Sequence, residues 1–458
     1  MKAVSEHEVL ERELHGQIIT PHDSEYDAAR QIWNAMIDRK PALIVQCADA
    51  TDVPHVIRFA RGHDLELAIR GGGHNIAGSA LCDGGVVLDM SGMTDVVVDA
   101  DRQRISVQPG ATLGQVDAAT QAYGLATPLG INSTTGIAGL TLGGGFGWLT
   151  RRYGMTIDNL VSAELVTARG EELHLTEEDN SDLFWAIRGG GGNFGVVTRL
   201  EFALHQVGPQ IVAGLLVFPF EQATQVLCGY RDYMESAPEE LNVWSVVRKA
   251  PPLPFLPNAL HGKEIVALAA FYSGEHTEAG PHLDRLRRLG ELQGEHVGVQ
   301  PYTAWQQVFD ALLAPGARNY WKSHNFSHLS DQAIDSLTSY AGRLPSMESE
   351  IFIGLIAGAA NRIPSDATAY AHRDARFVMN VHTRWRSPAD DEACIDWARE
   401  FFTASTPFAS AGAYVNFMTE DEGTRVSAAY GSNYARLVEI KRRYDPDNVF
   451  HINQNITP

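Results

Sequence analysis

Three glycine clusters constrain this chain more than any other feature: Arg70-Gly-Gly-Gly-His74, Gly143-Gly-Gly-Phe-Gly147 and Arg188-Gly-Gly-Gly-Gly-Asn-Phe-Gly195. Runs of glycine put backbone where no side chain fits, or where φ is positive. Successive N–H groups in such turns form concavities that bind anions, a pyrophosphate among them. A single cluster could be a tight turn between strands. Three of them between residues 70 and 195 point to a cofactor that carries phosphate. Residues 190–195 also read GxGxxG, but the preceding SDLFWAIR has helical texture and the following VVTRLEF is strand-like. A dinucleotide fingerprint follows a strand and opens a helix, so a nicotinamide-binding Rossmann site is disfavoured.

Other chemistries lack their signatures. There is no GxSxG, no Walker lysine loop and no HExxH. His324 and His328 have i, i+4 spacing but no third ligand, so no metal site is expected. Lys+Arg total 36 against 56 Asp+Glu, a formal net charge of −20 with no long basic run. That field repels nucleic acid and anionic membranes. Four scattered cysteines without a CxxC make no disulfide scaffold. The N-terminal MKAVSEHEVLERELHG has acidic residues where a signal peptide needs an apolar core, and no apolar run approaches the ~20 residues of a membrane span. A cytoplasmic protein is expected, as a monomer or a homo-oligomer.

The pattern of elements predicts an α+β fold. Residues 1–37 read as a lead helix and 38–207 as a mixed domain of short apolar strands. In that domain Thr51 and Asp52 offer cap oxygens to a helix through VIRFARG, which Gly62 can end; ELVTARGEELHL reads as a hairpin. Across 208–410, the strand candidates IVAGLLVF, NVWSVVRK, EIVALAAFY, IFIGLIAG and RFVMNVHTRW alternate with amphipathic helices, suggesting a sheet covered on one face. PPLPFLPNA (251–259) reads as a loop beside a ligand entrance. Residues 411–458 end in a helix stopped at Asp445–Pro446.

Four regions in order carry a family resemblance: RGGGHNIAGSALCDGGVVLDMSGM (70–93), GLTLGGGFGWLTRRYGMTIDNLVSAELVTARG (139–170), DLFWAIRGGGGNFGVVT (183–198), and a C-terminal region made of AGAYVNFM and YGSNYARLVEIKRRYDPDNVFHINQNI. The chain resembles the berberine-bridge-enzyme-like branch of the vanillyl-alcohol-oxidase flavoproteins. The resemblance implies a two-part PCMH-type FAD-binding domain, a substrate domain whose antiparallel sheet is covered by helices, and a C-terminal segment that returns to the FAD domain. It implies FAD bonded covalently through His74 to the methyl group at C8 of the ring, which makes the ring a stronger oxidant. Many relatives add a second link through a cysteine; Asn132 stands at that place, so attachment through one histidine is expected. Thr135 falls where fast-oxidising relatives have valine, whose shape it shares, which implies oxygen as acceptor and hydrogen peroxide as product.

By the same resemblance, Arg70, Gly71, Gly72, Gly73, Asn75, Gly78, Asn132, Thr134, Thr135, Gly136 and Gly139 would surround the FAD. Gly143, Gly144, Phe146, Gly195, Val197, Asn416 and Asn453 would complete its site. The substrate would be a small alcohol, sugar or cyclic amine. Period-two alternation puts Val378, Asn380 and His382 on one strand face, the face that in relatives looks toward the ring. Plant members pair a lysine with a tyrosine where Val378 and Phe146 stand, so their way of activating a base is absent. His382 and Tyr430 are the candidates for proton handling, with Asn380 and Tyr414 as neighbours. A dehydrogenase using another acceptor, and a flavin-retaining protein without redox activity, remain open alternatives.

Overall fold

Short apolar stretches between polar turns build the first of three large sheets among the described residues, beside a two-stranded ribbon of Leu125–Ala126 and His205–Gln206. A computed structural model describes residues 6–410 and 412–458. Residues 1–5 of the expected lead helix, and Ala411 at the start of the expected C-terminal segment, lie outside the described residues. Leu43–Gln46, Val86–Asp89 and Leu67–Arg70 run parallel in that spatial order, and Gln17–Ile19 adds an antiparallel edge. Helix Asp52–Gly62 turns Val53, Val56, Ile57 and Ala60 into their core, the stripe of an amphipathic helix.

Three local expectations are corrected here. Neither Thr51 nor Asp52 caps that helix through its side chain; the Asp52 carboxylate instead accepts the backbone N–H groups of His15, Gly16 and Ala48. The left-handed residue beyond the helix is Asp64, not Gly62. The described part of the lead segment is likewise not one helix but helix Glu6–Glu11, strand Gln17–Ile19 and helix Tyr26–Ala29. Gly16 and Pro21 interrupt it, and the backbone of residues 17–19 gains more by pairing with the sheet.

The second sheet is five-stranded and antiparallel, in the order Val96–Asp99, Arg104–Val107, Val196–Ala203, Leu160–Val166, Glu172–Leu175. Its last pair is the hairpin read from the sequence, with Gly170 at φ +77° in the turn. Leu113 and Val116 of helix Leu113–Gln121, Phe184 and Ile187 of helix Ser181–Ile187, and Leu437 and Ile440 of helix Tyr434–Tyr444 share its core.

Asp117, on the first of these helices, is fully buried. It receives the Gln306 side-chain N–H at 2.9 Å, while its other oxygen has no partner. Burial pushes its carboxyl up to about 7. A carboxyl raised in the folded state binds its proton more tightly there than in the unfolded chain. The contribution of Asp117 to stability is therefore most favourable at acid pH and is lost as pH rises through about 4 to 7. Asp117→Asn is expected to flatten this slope and to stabilise the protein above pH 7, by at most ~4 kcal/mol; urea unfolding at pH 5 and pH 8 measures it.

The third sheet has seven antiparallel strands in the order Gly294–Pro301, Gln210–Pro219, Glu264–Tyr272, Leu241–Lys249, Glu350–Leu355, Phe377–Trp385, Arg318–Phe326. Helices Ala223–Met234, Ala279–Arg287, Asp331–Ala341 and Asp391–Ser405 cover one face. Five of the strands match the sequence reading. Gly294–Pro301 is a partly exposed edge, and Arg318–Phe326 carries Lys322, Ser323, His324 and Asn325, polar residues that its partners bury, so neither shows an apolar strand pattern. Residues opposed across antiparallel strands share a face. One rung therefore reads Arg248, Glu350, His382, Trp321 and the next Val246, Phe352, Asn380, Ser323.

Candidate active site

A cavity runs from the glycine segments of the first two sheets to the helix-free face of the third. Gly71, Gly72, Gly73, His74 and Asn75 leave the carboxyl end of strand Leu67–Arg70 and line it. Gly72 and Gly136 lie back to back, so that a Cβ on either would overlap the other's amide nitrogen. Asn132, Thr135, Gly136 and Gly139 continue the wall, as do Phe146, Gly195 and Val197; the C-terminal segment adds Asn416 and Asn453.

Five expected cofactor residues stand behind this wall rather than in it. Arg70 grips Asp89 through two nitrogens, at 3.1 and 2.6 Å, and the Ala29 carbonyl through a third. Gly78, at φ +77°, is pressed against Ile37. Gly143 leaves room for the Asn416 amide, and Gly144, at φ +127°, abuts Met155 and Tyr414. Thr134 holds His74.

His74 is positioned by a relay. The Asn132 side-chain oxygen accepts both the N–H of Thr134 (3.0 Å) and its hydroxyl (2.7 Å). With its one hydrogen so used, the Thr134 oxygen can only accept from Nε2 of His74, 2.8 Å away. The hydrogen therefore sits on Nε2, and Nδ1 presents a lone pair. Burial lowers the imidazole to about 4, so the ring is neutral at pH 7. Trp33 stacks on it at 5.2 Å.

On the opposite wall, Glu350 lies between Arg248, at 2.7 Å, and His382, at 3.4 Å. Burial would raise the Glu350 carboxyl, but the Arg248 charge and then His382 outweigh it and hold it below its ordinary value. Burial lowers His382 despite the Glu350 carboxylate. Trp321 meets the His382 ring edge-on at 5.0 Å.

The expectation that Asn380 faces the substrate is corrected. It shares the face of His382 but does not line the cavity. Asn380 is fully buried and its amide atoms have no partner, while Phe417 packs edge-on against Trp321 (5.3 Å) and Phe352 (5.9 Å). Tyr430 does line the cavity, but among the glycine-loop backbone: its hydroxyl meets the carbonyls of Gln454 (3.0 Å) and Gly190 (3.2 Å), and burial raises it well above the ordinary tyrosine range. Tyr414 accepts the Gly145 N–H at 2.9 Å and is pushed up to about 12 by burial. It braces the second glycine loop.

A bare backbone wall, a neutral histidine and the unpartnered buried oxygen of Asn453 fit a long nucleotide cofactor. The family models agree: residues 41–176 match the FAD binding domain and 413–457 the family described as berberine and berberine like. An uncharacterised FAD-linked oxidoreductase of Bacillus subtilis is 31% identical over 97% of both chains. The chain belongs to the berberine-bridge-enzyme-like FAD-linked oxidoreductases. (R)-6-hydroxynicotine oxidase of Paenarthrobacter nicotinovorans is 30% identical, again over 97% of both. The crystal structure of 6-hydroxy-D-nicotine oxidase from Arthrobacter nicotinovorans superposes with a TM-score of 0.87 at 28% identity, covering 97% of this chain and 98% of that one.

This oxidoreductase thus has the α+β fold expected, an FAD-binding part in two sheets and an antiparallel sheet backed by helices. Sequence reasoning missed Trp33, Arg248, Trp321, Glu350, Phe352 and Phe417 as cavity residues. The usable signal for two of them was a charge at the end of an otherwise apolar strand, Arg248 closing NVWSVVR and Glu350 opening EIFIGL. No helix among the described residues is long and apolar enough to cross a membrane.

Proposed function

We propose that this enzyme is an oxidase that holds FAD covalently through His74 alone, removes a hydride and a proton from a C–OH or C–N group of a small organic substrate, and uses oxygen as acceptor with release of hydrogen peroxide. The bound FAD would supply hydride acceptance and reaction with oxygen. The observation that carries the reading is the Asn132–Thr134–His74 relay, which leaves a neutral Nδ1 as nucleophile in the cavity wall. Asn132 spends its side chain on that relay and can form no thioether, which supports a single link. Gly71 to Asn75, Gly136, Gly139, Gly195, Val197, Asn416 and Asn453 would hold the cofactor against the backbone. Thr135, in the same wall, supports oxygen as acceptor.

In this reading residues 38–207 with 411–458 carry the FAD and 208–410 form the substrate side, in a cytoplasmic monomer or homo-oligomer. The substrate wall is largely apolar: Trp244, Val246, Phe352 and Trp321 from the sheet, Leu253 from the proline-rich loop. Arg248, Glu350 and His382 are its polar patch. That lining favours an alcohol or cyclic amine with one polar head; the many hydroxyls of a sugar would lose water without gaining partners. Anaerobic mixing with benzyl alcohol, N-methylpyrrolidine and cellobiose, followed by air, tests this. Bleaching of the flavin by the alcohol or the amine is expected, with recovery in seconds and peroxide formed. Recovery taking minutes would mean another acceptor.

A further inference from the structure

We infer that Glu350 and His382 act as one proton acceptor, receiving the proton that the substrate's O–H or N–H gives up; this rests on the oxidation reading above. The argument begins at Asn319, whose amide is fixed in orientation. Its Nδ2 donates to the Ala317 carbonyl at 2.8 Å, and its Oδ1 accepts from Nη1 of Arg384 at 3.2 Å. That same Oδ1 lies 3.0 Å from Nε2 of His382, so Nε2 must carry a hydrogen. In the neutral ring Nδ1 is then a bare lone pair, and it faces Oε1 of Glu350 at 3.4 Å. Arg248 occupies the other carboxylate oxygen at 2.7 Å. Two acceptors confront each other on the cavity wall, and the arrangement is completed by one proton arriving between them.

When the substrate's heteroatom–hydrogen bond breaks, its electron pair stays on the heteroatom and forms the C=O or C=N bond as hydride leaves carbon for the FAD that the family's activity supplies. The proton goes to Nδ1, and the Glu350 carboxylate balances the imidazolium. His382 is the accepting group; Glu350 positions it and sets its basicity. The other charges that face the pair are Arg248 on strand Leu241–Lys249 and Arg384 acting through Asn319, itself held by Glu348 at 3.0 Å. Trp33 stands between His382 (6.4 Å) and the remaining cavity histidine, His74 (5.2 Å). Trp33 and Trp321 keep the pair out of bulk water, where the charge balance would weaken.

Nitrogen NMR of the holoenzyme labelled with 15N-histidine tests the pair without a substrate. His382 is expected to keep its proton on Nε2 at all pH values while Nδ1 titrates, and in Glu350→Gln the midpoint is expected to fall by ~1 unit or more. A proton resident on Nδ1 with Nε2 bare, or an unmoved midpoint, overturns the proposal. With whichever of benzyl alcohol, N-methylpyrrolidine or cellobiose bleaches the wild-type flavin, Glu350→Gln is expected to be ~10²-fold slower, with its acid limb displaced to lower pH and partial recovery in Glu350→Asp. Wild-type rates and pH profile in Glu350→Gln overturn it. If no probe bleaches the wild type, the oxidation reading fails and the catalytic role falls with it, whereas the NMR result alone distinguishes failure of the proton-sharing pair.

Discussion

Replacing His74 by alanine is expected to abolish covalent attachment of FAD completely. The denatured wild-type chain should exceed its sequence mass by one FAD, and His74→Ala should not. The basis is the proposal that the neutral Nδ1 of His74, left bare by the relay, is the nucleophile in this wall. Loss of the link removes the electron withdrawal that makes the ring a better oxidant, so flavin reduction should slow by ~10-fold or more even when FAD is supplied in excess. Thr134→Val gives the graded version. It keeps the histidine but frees the proton to sit on either nitrogen, so attachment should become partial. A full FAD mass on His74→Ala would sink the assignment.

The second large effect lies at the C-terminal segment. Lys441 and Asp445 are both fully buried and 2.7 Å apart. The Lys441 ammonium also donates to the carbonyls of Asn193 (2.8 Å) and Phe450 (3.0 Å), and Asp445 accepts the N–H groups of Val449 and Phe450. Every hydrogen of the ammonium is thus used, and one of its bonds clamps the third glycine loop. Lys441→Met leaves the carboxylate buried without its partner, which costs about 3–5 kcal/mol. A lowered urea midpoint and a smaller fraction of chains carrying one FAD mass should appear together, because Asn193 and Phe450 both line the cavity in which attachment would occur. The double variant Lys441→Met, Asp445→Asn should recover much of the stability, since no lone charge remains. Unchanged unfolding in the single variant would refute this account of the tail.

The parts of this molecule legible in the sequence are those where main chain does the work. Gly72 and Gly136 are visible as glycines because no other residue permits their contact. The order of a helix before Gly189 and a strand after Gly195, which argued against a Rossmann site, is what the structure has. Parity along Phe377–Trp385 correctly put Asn380 and His382 on one face, but it could not report that only the second would line the cavity. The rung of Arg248, Glu350 and His382 joins three strands whose pairing no local pattern encodes. Likewise Trp33 reads as part of a lead helix, and only the folded chain puts it between His74 and His382.

That tryptophan ties the two halves of the site to the start of the chain. Its backbone N–H donates to the Gly73 carbonyl and its indole N–H to that of Leu313, at 3.1 and 2.7 Å. The residue that shapes the turn before His74 is thereby also a wall of the chamber that holds His382. A chain shortened by its first forty residues would keep every glycine motif, yet it would lose the common partition that keeps nucleotide grip and chamber shape in step.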